Sequence, residues 1–415
     1  MNRHVNDRTR VAYFFTSFPK LSERFLEREI EGLDLYTDLK IEIHSLFGRG
    51  CNTFGSYSVI RFTALDWLSF PCHILRELVK NPSAFFRIFL LSIRNRPKSL
   101  INALEHLIGL SYAVVRASEF RKDPPDSIHA VWATGPASAA LFLHHIIGTP
   151  FSMGSHAYDL FRDGGDMVWL EKSKAAEFIH TSTSAARNEL IRRGVTAEKI
   201  HLIRRSAPVS QQTTSTSAFK RETSDSSIGK APIRILSVGR LIAKKGYPEL
   251  LKILQYLSSV NISFTAQIIG DGPLRKSLQK SIFDLGIEDR VTLLGSMPYK
   301  EVDRCMREST DLFFFTGKQA TSGDRDGLPN VIIEAMVAGV PVLASPSGAV
   351  SEAIATGFTG ELLDPYQPEL WAQAVQKIKN NPSYADELRK NAKGWIDQNC
   401  DARCNAQALS RLFLS

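Results

Sequence analysis

Residues 233–257 read IRILSVGRLIAKKGYPELLKILQYL, and this stretch decides the fold class. Its first six residues are short, apolar and β-branched, as a strand is. Gly239 then turns the chain, a basic loop follows with Arg240 and Lys245, and PELLKILQYL continues as a helix. Strand, glycine turn, polar loop and helix make the repeating half of a βαβ unit, which leads to a parallel sheet.

The same plan recurs downstream. FTAQIIG, RVTLLG, DLFFF and VPVLAS read as strands, separated by the helical stretches PLRKSLQKSIFDLG, KEVDRCM and NVIIEAMVAG. Upstream, VAYFFTS, IEIHSLF, IHAVWAT, FSMGSHA, AAEFIHTST and KIHLI alternate with amphipathic or Ala/Leu-rich segments. Between the halves, SAPVSQQTTSTSAFKRETSDSSIGKAP is rich in Ser and Thr and poor in large apolar residues, the composition of a linker. The expected organisation is an α/β chain with two doubly wound domains: 1–205, a linker 206–232, a second domain 233–395, and a C-terminal helical segment 396–415. Ligands of open α/β sheets bind at the strand C-termini. The expected site is therefore a cleft between the two domains.

A chain of 415 residues accommodates two such domains, and no run of it is apolar and long enough to span a bilayer. Cys51, Cys72, Cys305, Cys400 and Cys404 are scattered and odd in number, without zinc or redox spacing, so they read as reduced thiols. The N-terminal MNRHVNDRTRVAYFF lacks the apolar stretch and small-residue cleavage site of a leader. Both point to a cytoplasmic location. The net charge of +8 implies an anionic partner. Residues 61–100 concentrate that charge, with Arg61, Arg76, Lys80, Arg87, Arg94, Arg96 and Lys98 interleaved with Trp67, Phe70, Phe85, Phe86 and Phe89. The segment reads either as an amphipathic surface for the inner face of an anionic membrane or as helices using aromatics for the core and bases for solvent. No nucleic-acid-binding pattern is present, and none is expected as a partner.

Three turns of the second half have residue types suited to phosphate. Gly239, Arg240 and Lys245 follow one strand, and Gly270 and Gly272 with Pro273 follow the next. In ASPSGAVSEAI, Ser347, Gly348 and Ala349 are expected to offer N–H groups at a helix N-terminus. Neither G-x-G-x-x-G nor G-x-x-x-x-G-K-[ST] follows the first strand of either half, which disfavours a dinucleotide oxidoreductase or a P-loop enzyme. The D-x-D of Asp324 and Asp326 has no accompanying His or carboxylate cluster, so no metal is expected there. Asp326 and Glu334 flank a Gly-Leu-Pro turn, at different heights above the N-terminus of the helix NVIIEAM. Glu334 lies in the apolar run VIIEAMVAGVPV, where an unpaired carboxylate is costly. Together they suit a ligand with hydroxyls at two separated places.

With these motifs in order, the second half resembles the family 4 retaining glycosyltransferases of GT-B fold, through VGRLIAKKG, IIGDGPLRKSL, VTLLGSM, DGLPNVIIEAMVAGVPVLAS and GFTGELLDP. The first half is similar through FFTSFPKLSERFLEREI and GSHAYDLFRD, which look like enzymes of bacterial exopolysaccharide assembly, including the colanic acid type. The resemblance implies two Rossmann-like domains facing each other across a cleft. It also implies that Asp326 and Glu334 are the family's E-x7-E element, the first on the donor sugar and the second on the nucleotide ribose. Arg240 and Lys245 correspond to its diphosphate-binding pair, and His156 with Asp159 to its H-x-x-D segment near the reacting sugar. Ser296 to Pro298, with Met297, lie where the base is read.

Two departures stand out. Asp326 replaces the usual Glu, shortening the reach by roughly 1.5 Å, and LIRRSAPVS stands where the family has a Gly-Val-Asp turn. The expected activity is retaining transfer of a sugar from a UDP- or GDP-type donor to a lipid-linked or oligosaccharide acceptor, without a cofactor or required metal. An epimerase or phosphorylase on the same fold, or a degenerate scaffold, are the rival readings.

Overall fold

The computed structural model describes residues 8–20, 23–48, 50–95, 99–208 and 231–415. Most of the expected linker, and the cations Arg96 and Lys98 of the basic segment, lie outside the described residues. The chain divides into two compact units, Met1–Arg205 with Ala402–Ser415, and Ser206–Asp401.

The first unit is built on strands β1 (Arg10–Phe15), β2 (Lys40–Ser45), β3 (Thr53–Phe54), β4 (Tyr57–Arg61), β5 (Ser127–Ala130), β6 (Phe151–Gly154), β7 (Ile179–Thr181) and β8 (Ile200–Leu202). Their order in the sheet is β3-β4-β2-β1-β5-β6-β7-β8, parallel except for the β3–β4 hairpin at one edge. β1 is central, with Val11 facing Ile41 on one side and Ser127 on the other. Because helices cover both faces, Val11, Ala12, Tyr13 and Phe14 are all fully buried, which explains an unbroken apolar run instead of an alternating one. The covering helices are α1 (Arg24–Tyr36), α2 (Ala64–Lys80), α3 (Pro82–Arg94), α4 (Leu100–Lys122), α5 (Gly135–Ile147), α6 (Ala157–Phe161), α7 (Trp169–Ala175) and α8 (Ser184–Arg192).

The second unit has strands β9 (Ile233–Val238), β10 (Phe264–Ile269), β11 (Val291–Gly295), β12 (Leu312–Phe315), β13 (Val342–Ala344) and β14 (Glu361–Leu362). All pair in parallel, in the order β11-β10-β9-β12-β13-β14. The chain winds outward from β9 in one direction and from β12 in the other, so the topological switch point lies between these two strands. Its helices are α9 (Tyr247–Ser259), α10 (Arg275–Asp284), α11 (Tyr299–Ser309), α12 (Asn330–Val337), α13 (Pro368–Asn380) and α14 (Pro382–Asn399). Trp371 of α13 is fully buried against Phe314 of β12, and its indole N–H donates to the Asp364 carbonyl at 2.9 Å.

The last helix, α15 (Ala402–Leu414), belongs to the first unit, where Ala406 and Leu409 share a core with Ile30 and Leu33 of α1. The break expected at 395/396 therefore moves: Ala392 and Ile396 keep the buried spacing of α14, and the helix ends only at Asn399.

Candidate active site

In a parallel sheet every strand delivers its following loop to the same edge. The loops after β9 and β12 flank the switch point of the second unit, and the residues expected to bind phosphate and sugar lie in them. Lys245 closes a short 3-10 turn, Ala243–Lys245, directly before α9. Its Nζ donates to Asp326 Oδ2 at 2.7 Å. The neighbouring Lys244 Nζ lies 3.0 Å from Asp324 Oδ1 and 3.5 Å from Asp326 Oδ1. The two loops are also stitched by backbone: the Lys318 N–H donates to the Lys244 carbonyl at 2.8 Å, and Thr316 Oγ1 to the Gly246 carbonyl at 2.8 Å.

Lysines therefore occupy the D-x-D that invited a metal reading, and sequence reasoning missed Lys244 and Asp324 as partners. The signal was there in two doublets, Lys-Lys and Asp-x-Asp, whose spacing matches once the loops are adjacent. Burial pulls the Asp326 carboxyl toward its neutral form, but Lys245 and Lys244 outweigh it and hold the group below the ordinary value of 3.8. Asp326 is thus an ionised, half-buried acceptor with its cation in place. Lys245 keeps further ammonium N–H groups for a second anion.

Arg240 stands two residues after β9 and is exposed; among the described residues its guanidinium makes no ion pair. Gly239 lies between them, with its carbonyl accepting from Tyr247 Oη at 2.9 Å. The loops after β9, β10 and β11 lean on one another through backbone bonds, Gly239 N–H to Ile269 and Gly270 N–H to Gly295, at 2.9 and 2.8 Å. A Cβ on Gly270, whose φ is +146°, would stand 1.9 Å from the Gly239 oxygen. Gly272 also packs closely, on Leu241, and α10 opens three residues later, at Arg275. These glycines bring the loops together; the cations do the rest.

Glu334 sits in α12, just over one turn from its start at Asn330, and is 9% exposed. Pro329 is the residue before the helix, with an extended ψ of 131°. Met297 is half-buried in the short loop between β11 and α11.

The turn after β13 departs from expectation. No α-helix follows Gly348; the chain makes only a 3-10 turn at Val350–Glu352. Thr359 stops it, with Oγ1 donating to the Ala353 carbonyl at 2.7 Å and accepting from the Ala355 N–H at 2.8 Å. The Ser347 N–H is spent on the Ser345 carbonyl and the Ala349 N–H on that of Gly327. Among the described residues the Gly348 N–H has no partner. Gly348 has a φ of +63°, and a Cβ there would meet the Asp326 carbonyl oxygen at 1.9 Å, so this turn is the floor on which Asp326 rests.

His156 belongs to the first unit, between β6 and α6, and is 5% exposed. Its backbone N–H donates to Asp159 Oδ2 at 2.8 Å, which fixes the entry to α6. Its ring lies edge-on to Trp132 at 5.4 Å and to His180 at 5.6 Å, and Nδ1 is 3.3 Å from Ser182 Oγ. Burial, then Arg205, His180 and His129, push its pKa well below 6.5, so the ring is neutral. Burial pushes Asp159 the other way, well above the usual carboxylate range, against the pull of the His156 N–H. The loop carrying Trp132 is anchored by Lys172, whose Nζ donates to the carbonyls of Ala133 and Thr134 at 2.8 and 3.0 Å and to Asp166 Oδ1 at 2.7 Å, all in a fully buried setting. Trp132, His180 and Ser182 are the residues around His156 that sequence reasoning missed.

This geometry has relatives. Residues 219–395 match the family model described as Glycosyl transferases group 1. Over 147 residues the chain is 37% identical to the amylovoran biosynthesis glycosyltransferase AmsK of Erwinia amylovora, covering 35% of each protein. Over 144 residues it is 31% identical to a putative colanic acid biosynthesis glycosyltransferase, WcaL, of Salmonella typhimurium, covering 35% of this chain and 34% of that one. The aligned segment thus spans about a third of the length of these relatives. Among solved structures, Anabaena Alr3699/HepE in complex with UDP-glucose superposes with a TM-score of 0.66 at 18% identity over 97% of this chain and 99% of that one. The lipopolysaccharide outer core galactosyltransferase WaaB superposes with a TM-score of 0.67 at 15% identity, over 98% and 99%. The chain has the GT-B fold, and its residues 219–395 are similar to the group 1 glycosyl transferases.

Proposed function

We propose that the protein transfers a sugar, with retained anomeric configuration, from a nucleoside diphosphate sugar to a hydroxyl of a lipid-linked or oligosaccharide acceptor in exopolysaccharide assembly. The observation that carries this reading is the pairing of Lys245 and Lys244 with Asp326 over the switch point between β9 and β12. It gives one crevice a fixed carboxylate for sugar hydroxyls and fixed cations for a diphosphate.

The reaction breaks the bond between the sugar's anomeric carbon and the diphosphate oxygen, which keeps the electron pair, and forms a bond from that carbon to the acceptor hydroxyl oxygen on the same face, the hydroxyl proton passing to the departing diphosphate. Arg240, Lys245 and the Gly348 N–H are positioned in loops of one sheet edge to stabilise the growing charge, so a divalent ion is not required. Asp326 orients the donor sugar, and Glu334, buried in α12, grips the ribose. Met297 lies in the loop that faces the base. Neutral His156 accepts or donates a hydrogen bond at the reacting sugar and does not carry charge there. A lipid-linked acceptor places the enzyme on the cytoplasmic face of the membrane. The relatives named for amylovoran and colanic acid synthesis support an exopolysaccharide product.

The test is to incubate the protein with UDP- and GDP-sugars and lipid or oligosaccharide acceptors in the presence of a chelator, following nucleoside diphosphate release and the anomeric configuration of the product. Release that persists with chelator and yields the donor's own configuration supports the reading. An inverted product, or release that stops when divalent ions are removed, contradicts it.

A further inference from the structure

The helices between β4 and β5 carry a surface that the crevice does not use. α2 buries Glu77 fully and turns the partly buried Phe70 and Ile74 toward the core. On its opposite face Leu65, Leu68, Leu75 and Val79 are exposed, Leu68 by 77% and Val79 by 81%. Their spacings of three, seven and four residues place them in one stripe. In α3, Ala84 and Ile88 face inward while Phe86, Leu90 and Ile93 form an exposed stripe, with Phe86 exposed by 63%. The first half of α4 repeats the plan: Asn102, His106 and Gly109 are buried, and Leu100, Leu104 and Leu107 are exposed. An ordinary surface helix puts its apolar stripe inside; these helices carry one outside.

Charge on this face has one sign. Arg76, Lys80, Arg87 and Arg94 are exposed beside the apolar stripes. The carboxylates of the same segment are Asp66, Glu77 and Glu105. Asp66 is held by Thr63 and by Arg116 at 3.3 Å, Glu77 is buried on Arg121 at 2.7 Å, and Glu105 is half-buried. Among the described residues of this segment no carboxylate is exposed.

We propose that α2, α3 and the first half of α4 form a docking face for an anionic lipid bilayer, with the apolar stripes in the acyl boundary and the cations among the headgroups. Charge selects this occupant. A second copy seated by a two-fold axis would bring the same cations against themselves, and a nucleic acid would offer little to so many large apolar side chains. No helix among the described residues is long and apolar enough to cross a membrane, so the contact is interfacial. The inference is independent of the transfer chemistry, because it is read without donor or acceptor.

The experiment is flotation of the full chain with vesicles of phosphatidylcholine alone or mixed with phosphatidylglycerol, at low and high salt. Wild type floats with the mixed vesicles and much less with phosphatidylcholine. The variant Arg87→Gln/Arg94→Gln loses about thirtyfold in partition at low salt, about fivefold for each cation removed. The variant Phe86→Ser/Leu90→Ser/Ile93→Ser loses tenfold or more, and both keep the wild-type melting temperature because the altered side chains are exposed. The proposal is overturned if wild type fails to float at low salt or if both variants float as wild type does. It is equally overturned if the serine variant instead dissolves a concentration-dependent dimer in a protein that does not bind vesicles.

Discussion

Lys245 Nζ lies 2.7 Å from Asp326 Oδ2, although the two residues are 81 positions apart in the chain. The contact joins the loops on either side of the switch point and sets both the charge and the position of the carboxylate. On the proposed function, a diphosphate arriving there would meet an ammonium already held in place, with little reorganisation left for the reaction step.

Lys245→Met removes the cation but keeps the stem. The expected result is a fall of about 10²–10³-fold in kcat, the size found when one preorganised transition-state donor is lost. Asp326→Asn is expected to raise KM for the donor as well, since it exchanges a charged carboxylate with two acceptor oxygens for a neutral amide with one and weakens the hold on both lysines. Initial rates against donor concentration separate the two effects. A change under threefold in Lys245→Met would exclude it from the diphosphate site.

The same pair predicts behaviour in acid. Asp326 has a folded-state pKa below its ordinary 3.8, so its contribution to stability is complete above that value and is lost as pH falls through the folded value. Melting temperature should therefore show no Asp326-dependent change at neutral pH. It should drop more steeply in wild type than in Asp326→Asn below about pH 3.8. Parallel acid limbs for the two proteins would show that the lysines do not stabilise the ionised form.

Closer to neutrality the first unit carries an opposite device. Burial, with help from Asp166, raises Glu105 from 4.5 to about 7, against Lys172 and Arg162. A raised carboxyl stabilises the fold while it keeps its proton. That stability is complete below about 4.5 and is lost as pH rises through about 7. Glu105→Gln should flatten the decline in melting temperature between these values and raise it at alkaline pH. Glu29, also raised to about 7 by burial, contributes to the slope that remains, and Glu29→Gln in addition should reduce it further. An unchanged pH profile in Glu105→Gln would contradict the assignment.

Gly348→Ala tests the floor beneath Asp326. The φ of +63° and the 1.9 Å approach to the Asp326 oxygen leave no room for a methyl group. The expected cost is about 2 kcal/mol or more, a fall of roughly 4–8 °C in melting temperature for a unit of this size, with donor affinity falling alongside. An alanine variant that melts and binds like wild type would mean that the turn is not in contact with the site.

The strand and helix alternation was legible because parallel strands covered on both faces read as apolar runs, and IRILSV and LFFF are clear examples. The β3–β4 hairpin, centred on Gly55, was not, since Thr53–Phe54 is too short to show a period. AVSEAI has the composition of a helix, yet a side chain nine residues downstream of Val350, Thr359, ends it after one turn. Asp326 and Lys245 could each be singled out from their motifs. Their contact with one another was not, because it depends on sheet order, and neither was the inverted exposure of α2 and α3, which depends on where the core lies.

The central claim, a nucleoside diphosphate sugar site at the β9–β12 crevice, is tested most directly by thermal shift with UDP, GDP, ADP and their sugar conjugates, comparing wild type with Glu334→Ala. A ligand that binds the folded state raises its melting temperature according to concentration over Kd. The account predicts that one nucleotide and its sugar conjugates stabilise wild type and that the shift disappears in Glu334→Ala. A shift of equal size in both proteins, or none with any nucleotide in wild type, would contradict it.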